Sequence, residues 1–89
     1  MKQWQVHFSG RVQGVGFRYT VFEIARRFDV VGWVRNLNDG RVEMVCQGDQ
    51  QELRAFVDAI LESRVGNVAD HQIHAEEAAS EFSGFDIRH

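Results

Sequence analysis

The stretch VVGWVRNLNDGRVEMVCQ, residues 30–47, decides the fold. Two runs rich in β-branched and aromatic side chains, 30–37 and 41–47, flank Asn38-Asp39-Gly40, residue types that accept the backbone of a tight turn. This pattern predicts a β-hairpin. On its N-terminal side Phe17, Val21, Ile24, Ala25 and Phe28 recur at spacings of three and four, which lines one face of a helix over 17–28. Arg26 and Arg27 suit the negative C-terminal end of that helix. On its C-terminal side Asp49 and Glu52 have the spacing of a capping box, and Leu53, Phe56, Val57, Ile60 and Leu61 hold a helical register until Gly66. Farther out, QWQVHFS (3–9) alternates with Trp4, Val6 and Phe8 on one side, as a half-buried strand does. HQIHA predicts a strand around 71–76, FDIR a short final strand with Phe85 and Ile87 on one side, and Glu76 to Glu81 a solvated turn.

The order strand, helix, strand, strand, helix, strand, with a short extra C-terminal strand, fits an α+β two-layer sandwich. It predicts a split β-α-β arrangement in which an antiparallel sheet carries both helices on one face. In that topology the first two strands run parallel with the third between them, so their C-terminal ends share one edge about 10 Å apart. Two chemically distinctive positions then meet: Arg18, after the first strand, and Asn36, near the end of the second. Alternation puts Asn36 on the side of Val34, so with Val34 under the helices Asn36 points toward the start of the first helix.

Composition narrows the function classes. A chain of 89 residues is one expected domain, 1–89, long enough to bury roughly 60 to 70% of its unfolded surface. Ten Lys/Arg against thirteen Asp/Glu give a net charge of −3, so the surface as a whole does not attract nucleic acid or anionic membrane. Any anion site is local. The N-terminal MKQWQVHFSG lacks the apolar core and small-residue cleavage site of a secretory signal, and the single cysteine, Cys46, agrees with a reducing compartment. The expectation is a cytoplasmic monomer with neither nucleic-acid nor membrane partners.

GRVQGVGFRY (10–19) is the candidate anion site. Glycines at 14 and 16 opening directly into a helix can aim several backbone N–H groups at one point, where the helix N-terminus adds positive potential. Arg18 adds a planar fork of donors that matches phosphate or carboxylate. The spacing of Gly10, Gly14 and Gly16 fits neither the dinucleotide fingerprint nor the P-loop, which also needs a Lys-Ser/Thr pair. The same residues also suit a plain strand-to-helix turn with Arg18 in solvent, and pattern alone leaves the two readings even.

GRVQGVGFR at 10–18 and GWVRNLNDGRVE at 32–43 resemble the two signature stretches of the acylphosphatases, and GFDIR resembles their usual ending. The likeness spans nearly the whole chain. It implies a ferredoxin-like fold and hydrolysis of acyl phosphates to a carboxylate and inorganic phosphate, without metal or organic cofactor. By the same resemblance Arg18 corresponds to the phosphate-binding arginine and Asn36 to the water-positioning asparagine. Gly14, Val15, Gly16 and Phe17 match the loop whose main-chain amides, with that of Arg18, hold the phosphoryl oxygens. GNVAD (66–70) departs from the pattern, since many members carry proline after that glycine.

The chemistry agrees with so small a set of groups. An acyl phosphate expels a carboxylate whose conjugate acid has a pKa of about 4, so it leaves without a general acid. A phosphate monoester expels an alkoxide and needs one, and no acidic residue lies between Gly10 and Arg18. The other reactive residues have plainer readings. Cys46 in its apolar strand reads as a core residue, His7 as a polar-face residue, and Arg11 and Arg35 as solvated charges. His71 and His74, three apart on a strand, fall on opposite faces and do not share a metal. Two rival readings are an RNA-stacking module using Trp4, Phe17, Tyr19 and Trp33, and an accessory domain of the kind fused within larger proteins. The negative net charge disfavours the first, and the intact motif residues disfavour the second.

Overall fold

The computed structural model describes residues 2–89 and contains seven elements. They are β1 (Lys2–Arg11), α1 (Phe17–Ala25), β2 (Val31–Asn36), β3 (Val42–Gly48), α2 (Gln50–Glu62), β4 (Asn67–Glu77) and β5 (Phe85–Arg88). The strands form one sheet in the order β4-β1-β3-β2-β5. β3 runs antiparallel to both β1 and β2, so β1 and β2 are parallel with their C-terminal ends at one edge. Trp4, Val6, Phe8, Val34, Val42, Met44 and Cys46 face the helices and join Phe17, Val21, Ile24, Leu53, Phe56, Val57 and Ile60 in one core. This is the ferredoxin-like α+β sandwich expected from the order of elements.

The hairpin turn forms as its residues require. Gly40 sits at φ 96°, Leu37 N–H donates to Arg41 O at 2.8 Å, and Gly40 N–H donates to Leu37 O at 3.2 Å. Arg41 N–H also donates to Asp39 Oδ1, and this bond holds the Asp39 carboxyl below its usual pKa.

Several expectations are corrected. The sheet is mixed, because β5 pairs parallel to β2, Val34 opposite Ile87. Helix α1 ends at Ala25, and 26–28 tighten into i→i+3 turns in which the N–H groups of Arg26, Arg27 and Phe28 donate to Glu23, Ile24 and Ala25. No capping box forms at α2: Asp49 makes no side-chain cap, and Glu52 Oε1 accepts from Asp29 N–H at 2.8 Å, fastening the preceding loop to the helix. β4 covers eleven residues, well beyond 71–76, and begins at Asn67 opposite Arg11. Gly66 adopts φ 71°, and any Cβ there would stand 2.5 Å from Arg11 O. Gly10 lies at a register shift between β1 and β4, where a Cβ would meet Asn67 O at 2.4 Å. It shapes the sheet edge and leaves the anion loop to Gly14 and Gly16.

The segment after β4 crosses the open face of the sheet and is more than a solvated turn. Gln47, 1% exposed, donates to Ser80 O at 2.7 Å and accepts from Phe82 N–H at 3.0 Å. The same face carries Glu43, whose carboxylate is buried and fully engaged. Arg35 Nε and Nη2 each lie 2.8 Å from its Oε1, while Gln5 Nε2 at 2.9 Å and His7 Nε2 at 3.1 Å meet Oε2. His7 is a polar-face residue as expected. Arg35 is exposed as expected, and is in addition an ion-pair partner that stacks 5.0 Å from the Trp33 ring centroid. Cys46 is a core residue, and burial pushes its thiol up to about 12.

Candidate active site

The residues between β1 and α1 turn sharply because Gly14 and Gly16 take φ 74° and 78°, a left-handed conformation that costs any L-residue about 1 to 2 kcal/mol. A Cβ at either position would meet nothing within 4 Å, so the requirement for glycine there lies in the backbone and not in crowding. Gly16 is the N-cap of α1 and offers no side chain to its amides. The first helical bond is Thr20 N–H to Gly16 O at 3.0 Å, which leaves the N–H groups at the start of α1 outside the ladder. No acidic residue occupies the first turn, so nothing within the helix offsets its positive end.

Gln13 fixes this loop over the sheet. Its Nε2 donates to Leu37 O at 2.7 Å and to Arg41 O at 2.9 Å, tying the loop to the end of the β2–β3 hairpin. Packing adds a second anchor: Phe17 is 1% exposed and meets Phe8 edge-on at 5.2 Å between ring centroids. The Val15 side chain turns the other way, close to Gly66.

A cavity of about 280 Å³ lies between loop, helix and sheet, lined by Gly14, Gly16, Arg18 and Asn36 together with Val12, Phe17, Tyr19, Ile87 and His89. The topology thus unites Arg18 and Asn36, as the sequence predicts, and Asn36 reaches it from the sheet face that buries Val34. Arg18 Nη1 donates to Arg88 O at 3.0 Å and stands 3.4 Å from His89 Nδ1. The Asn36 Oδ1 atom is the one buried side-chain polar atom among the described residues that has no hydrogen-bond partner. A buried acceptor left so costs about 1 to 3 kcal/mol. Tyr19 forms part of the rim, with its hydroxyl donating to Glu23 Oε1 at 2.8 Å. That hydrogen bond, reinforced by the Glu23 charge, raises the phenol pKa and keeps the ring neutral.

Sequence reasoning passed over Gln13, Tyr19, Ile87 and His89 as parts of this site. For the last two the available signal is the terminal FDIR strand, whose parallel pairing with β2 brings the end of the chain beside Asn36. A larger cleft of about 530 Å³ opens at the opposite end of the strands, among Lys2, Asp29, Asp49 and Glu81. Its excess of carboxylates repels phosphate. Among the described residues no three His, Cys, Asp or Glu side chains are grouped as metal ligands.

A glycine-shaped helix N-terminus, one arginine fork and an amide with a buried oxygen thus lie together at the shared edge of two parallel strands in a ferredoxin-like protein. The comparisons then fix the family. The chain belongs to the acylphosphatase family, whose model matches residues 4–87. A Methanospirillum hungatei acylphosphatase is 41% identical over 87 residues, covering 98% of this chain and 93% of the relative. The crystal structure of a Bacillus subtilis acylphosphatase superposes with a TM-score of 0.93 at 37% identity, covering all of both chains. An acylphosphatase from Coxiella burnetii superposes with a TM-score of 0.86 at 30% identity over 98% of this chain and 92% of its own.

Proposed function

We propose that this protein hydrolyses acyl phosphates, with Arg18 and the amides of Gly14, Val15, Gly16, Phe17 and Arg18 holding the phosphoryl group and Asn36 orienting the attacking water. The unpartnered Asn36 Oδ1 in the cavity it shares with Arg18 carries this reading. A neutral amide does not serve as a base at neutral pH, but its oxygen accepts a hydrogen bond from water and so fixes the direction of attack.

The water oxygen attacks phosphorus as the bond from phosphorus to the acyl oxygen breaks, and that electron pair leaves as a carboxylate. A phosphoryl oxygen of the substrate takes the water's proton, so the products are a carboxylate and inorganic phosphate. Charge moves onto the phosphoryl and leaving oxygens during this step, where the amide cradle and the Arg18 guanidinium stabilise it. The protein supplies no general acid at the loop, which confines it to substrates whose leaving group needs none.

The reading extends to one domain, 1–89, acting in the cytoplasm as a monomer without nucleic-acid or membrane partners. The net charge of −3 supports this, as does the lack, among the described residues, of a helix long and apolar enough to cross a membrane. Steady-state hydrolysis of benzoyl phosphate by wild type and by Arg18→Ala tests the central roles. A loss of about a hundredfold or more with a weaker phosphate inhibition constant supports the cradle. Unchanged kinetics in the variant would overturn it.

A further inference from the structure

The cavity has two chemically different halves. Gly14, Gly16, Arg18 and Asn36 supply donors and a buried acceptor, while Tyr19 and Ile87 present apolar surface. Tyr19 is 60% exposed, and among the described residues it and Val15 are the only large hydrophobic side chains left exposed. Both belong to the loop and first helical turn that frame the site, and Val15 turns toward Gly66. Tyr19 is therefore the most exposed apolar face at the cavity, with Ile87 partly buried beside it.

Its orientation is already fixed. The hydroxyl is tied to Glu23 one helical turn on, and the ring lies 6.5 Å from that of Phe22 at an angle of 30°. An aromatic ring held in this way loses little further freedom when a ligand packs on it. Exposure of so large a ring has no role in the core, which closes without it.

We propose that Tyr19 is the acyl-group subsite: with the phosphoryl group seated at Arg18, the acyl portion packs on the Tyr19 ring, so aromatic and extended apolar acyl phosphates are preferred to acetyl phosphate. This rests on the acyl phosphate hydrolase reading above. Arg18 and Tyr19 line the same cavity, Tyr19 on its rim, so a substrate gripped by the first passes the second as it leaves the cavity. An acetyl group is too short to cover the ring, whereas a benzoyl group can stack on it.

The test compares benzoyl phosphate with acetyl phosphate in wild type, Tyr19→Ala and Tyr19→Phe, with inorganic phosphate as an inhibitor probe. Tyr19→Ala is expected to lower the ratio of kcat/KM for benzoyl over acetyl phosphate by about three- to tenfold, chiefly through KM, the size of one aromatic contact. The phosphate inhibition constant stays unchanged, and Tyr19→Phe retains the wild-type ratio because it keeps the ring. A ratio unmoved in Tyr19→Ala, in an enzyme active on both substrates, would overturn the subsite alone. Equal losses on both substrates with weakened phosphate inhibition would also overturn it, since they mark a structural effect on Arg18. A wild-type protein inactive on both acyl phosphates would instead overturn the hydrolase reading beneath it.

Discussion

Asn36 is expected to trade stability for turnover. Its Oδ1 is buried without a partner at the end of β2, a strand position where asparagine is also intrinsically disfavoured. Asn36→Leu keeps the branched outline of the side chain and removes that acceptor. An unsatisfied buried acceptor costs about 1 to 3 kcal/mol, and loss of the amide's other contacts offsets part of the gain, so a net stabilisation of about 1 kcal/mol is expected. For a domain of 89 residues this raises Tm by about 4 to 8 °C. Urea titration and thermal melts followed by circular dichroism measure it. The same substitution, and Asn36→Ala beside it, should lower kcat on benzoyl phosphate by about a hundredfold or more, while phosphate inhibition is spared in the alanine variant. A leucine variant less stable than wild type by more than about 1 kcal/mol would mean that Oδ1 holds the strand through a partner in solution. Near-normal turnover would mean that the amide orients nothing. Either result refutes the reasoning.

Other perturbations separate the backbone from the side chains of the site. Gly16→Ala should cost about 1 to 2 kcal/mol through its left-handed backbone alone, because its Cβ meets no neighbour, whereas Gly84→Ala, equally uncrowded but without a positive φ, should leave stability unharmed or raise it by up to about 1 kcal/mol. Cys46 should resist alkylation in the native protein at pH 8 and react only as the chain unfolds, monitored by mass spectrometry with and without urea. Its folded pKa of about 12 lies above the reference of 9.0, so the folded state holds the proton longer and stability falls as pH rises through that interval. The slope contributed is at most about 1.4 kcal/mol per pH unit, and Cys46→Ala should flatten alkaline unfolding accordingly. Gln13→Ala removes both ties to the hairpin, and raised KM for acyl phosphate together with a melting temperature lowered by several degrees is the expected signature of a loosened loop.

Where the period of the chain was clear, the sequence was a sound guide. The 3.6-residue recurrence of Leu53, Phe56, Val57 and Ile60 can bury only one helical face, and the Asn38-Asp39-Gly40 turn admits one register, so α2 and the hairpin follow from local chemistry. Once the hairpin separates two helices, the parallel relation of β1 and β2 and the meeting of Arg18 with Asn36 follow from topology.

What escaped depends on distant partners. Asp49 and Glu52 have capping spacing, yet Asp29 N–H claims the Glu52 carboxylate, and no local pattern encodes that competition. β4 is an edge strand, polar along most of its length and paired only with β1, so its alternation is faint. Arg35 reads as a lone charge until β3 brings Glu43 beneath it. Ile87 and His89 enter the site through the parallel docking of the last strand, a contact some fifty residues away in sequence from Asn36.

The most direct test of the account compares benzoyl phosphate with p-nitrophenyl phosphate in the presence of EDTA, using wild-type protein and Arg18→Ala. A carboxylate is the anion of a stronger acid than nitrophenol and so the better leaving group of the two, so wild type should cleave benzoyl phosphate rapidly and p-nitrophenyl phosphate far more slowly, with Arg18→Ala losing the first activity. Comparable rates on the two substrates, or loss of benzoyl phosphate hydrolysis on chelation, would contradict a site that works by positioning and charge stabilisation alone.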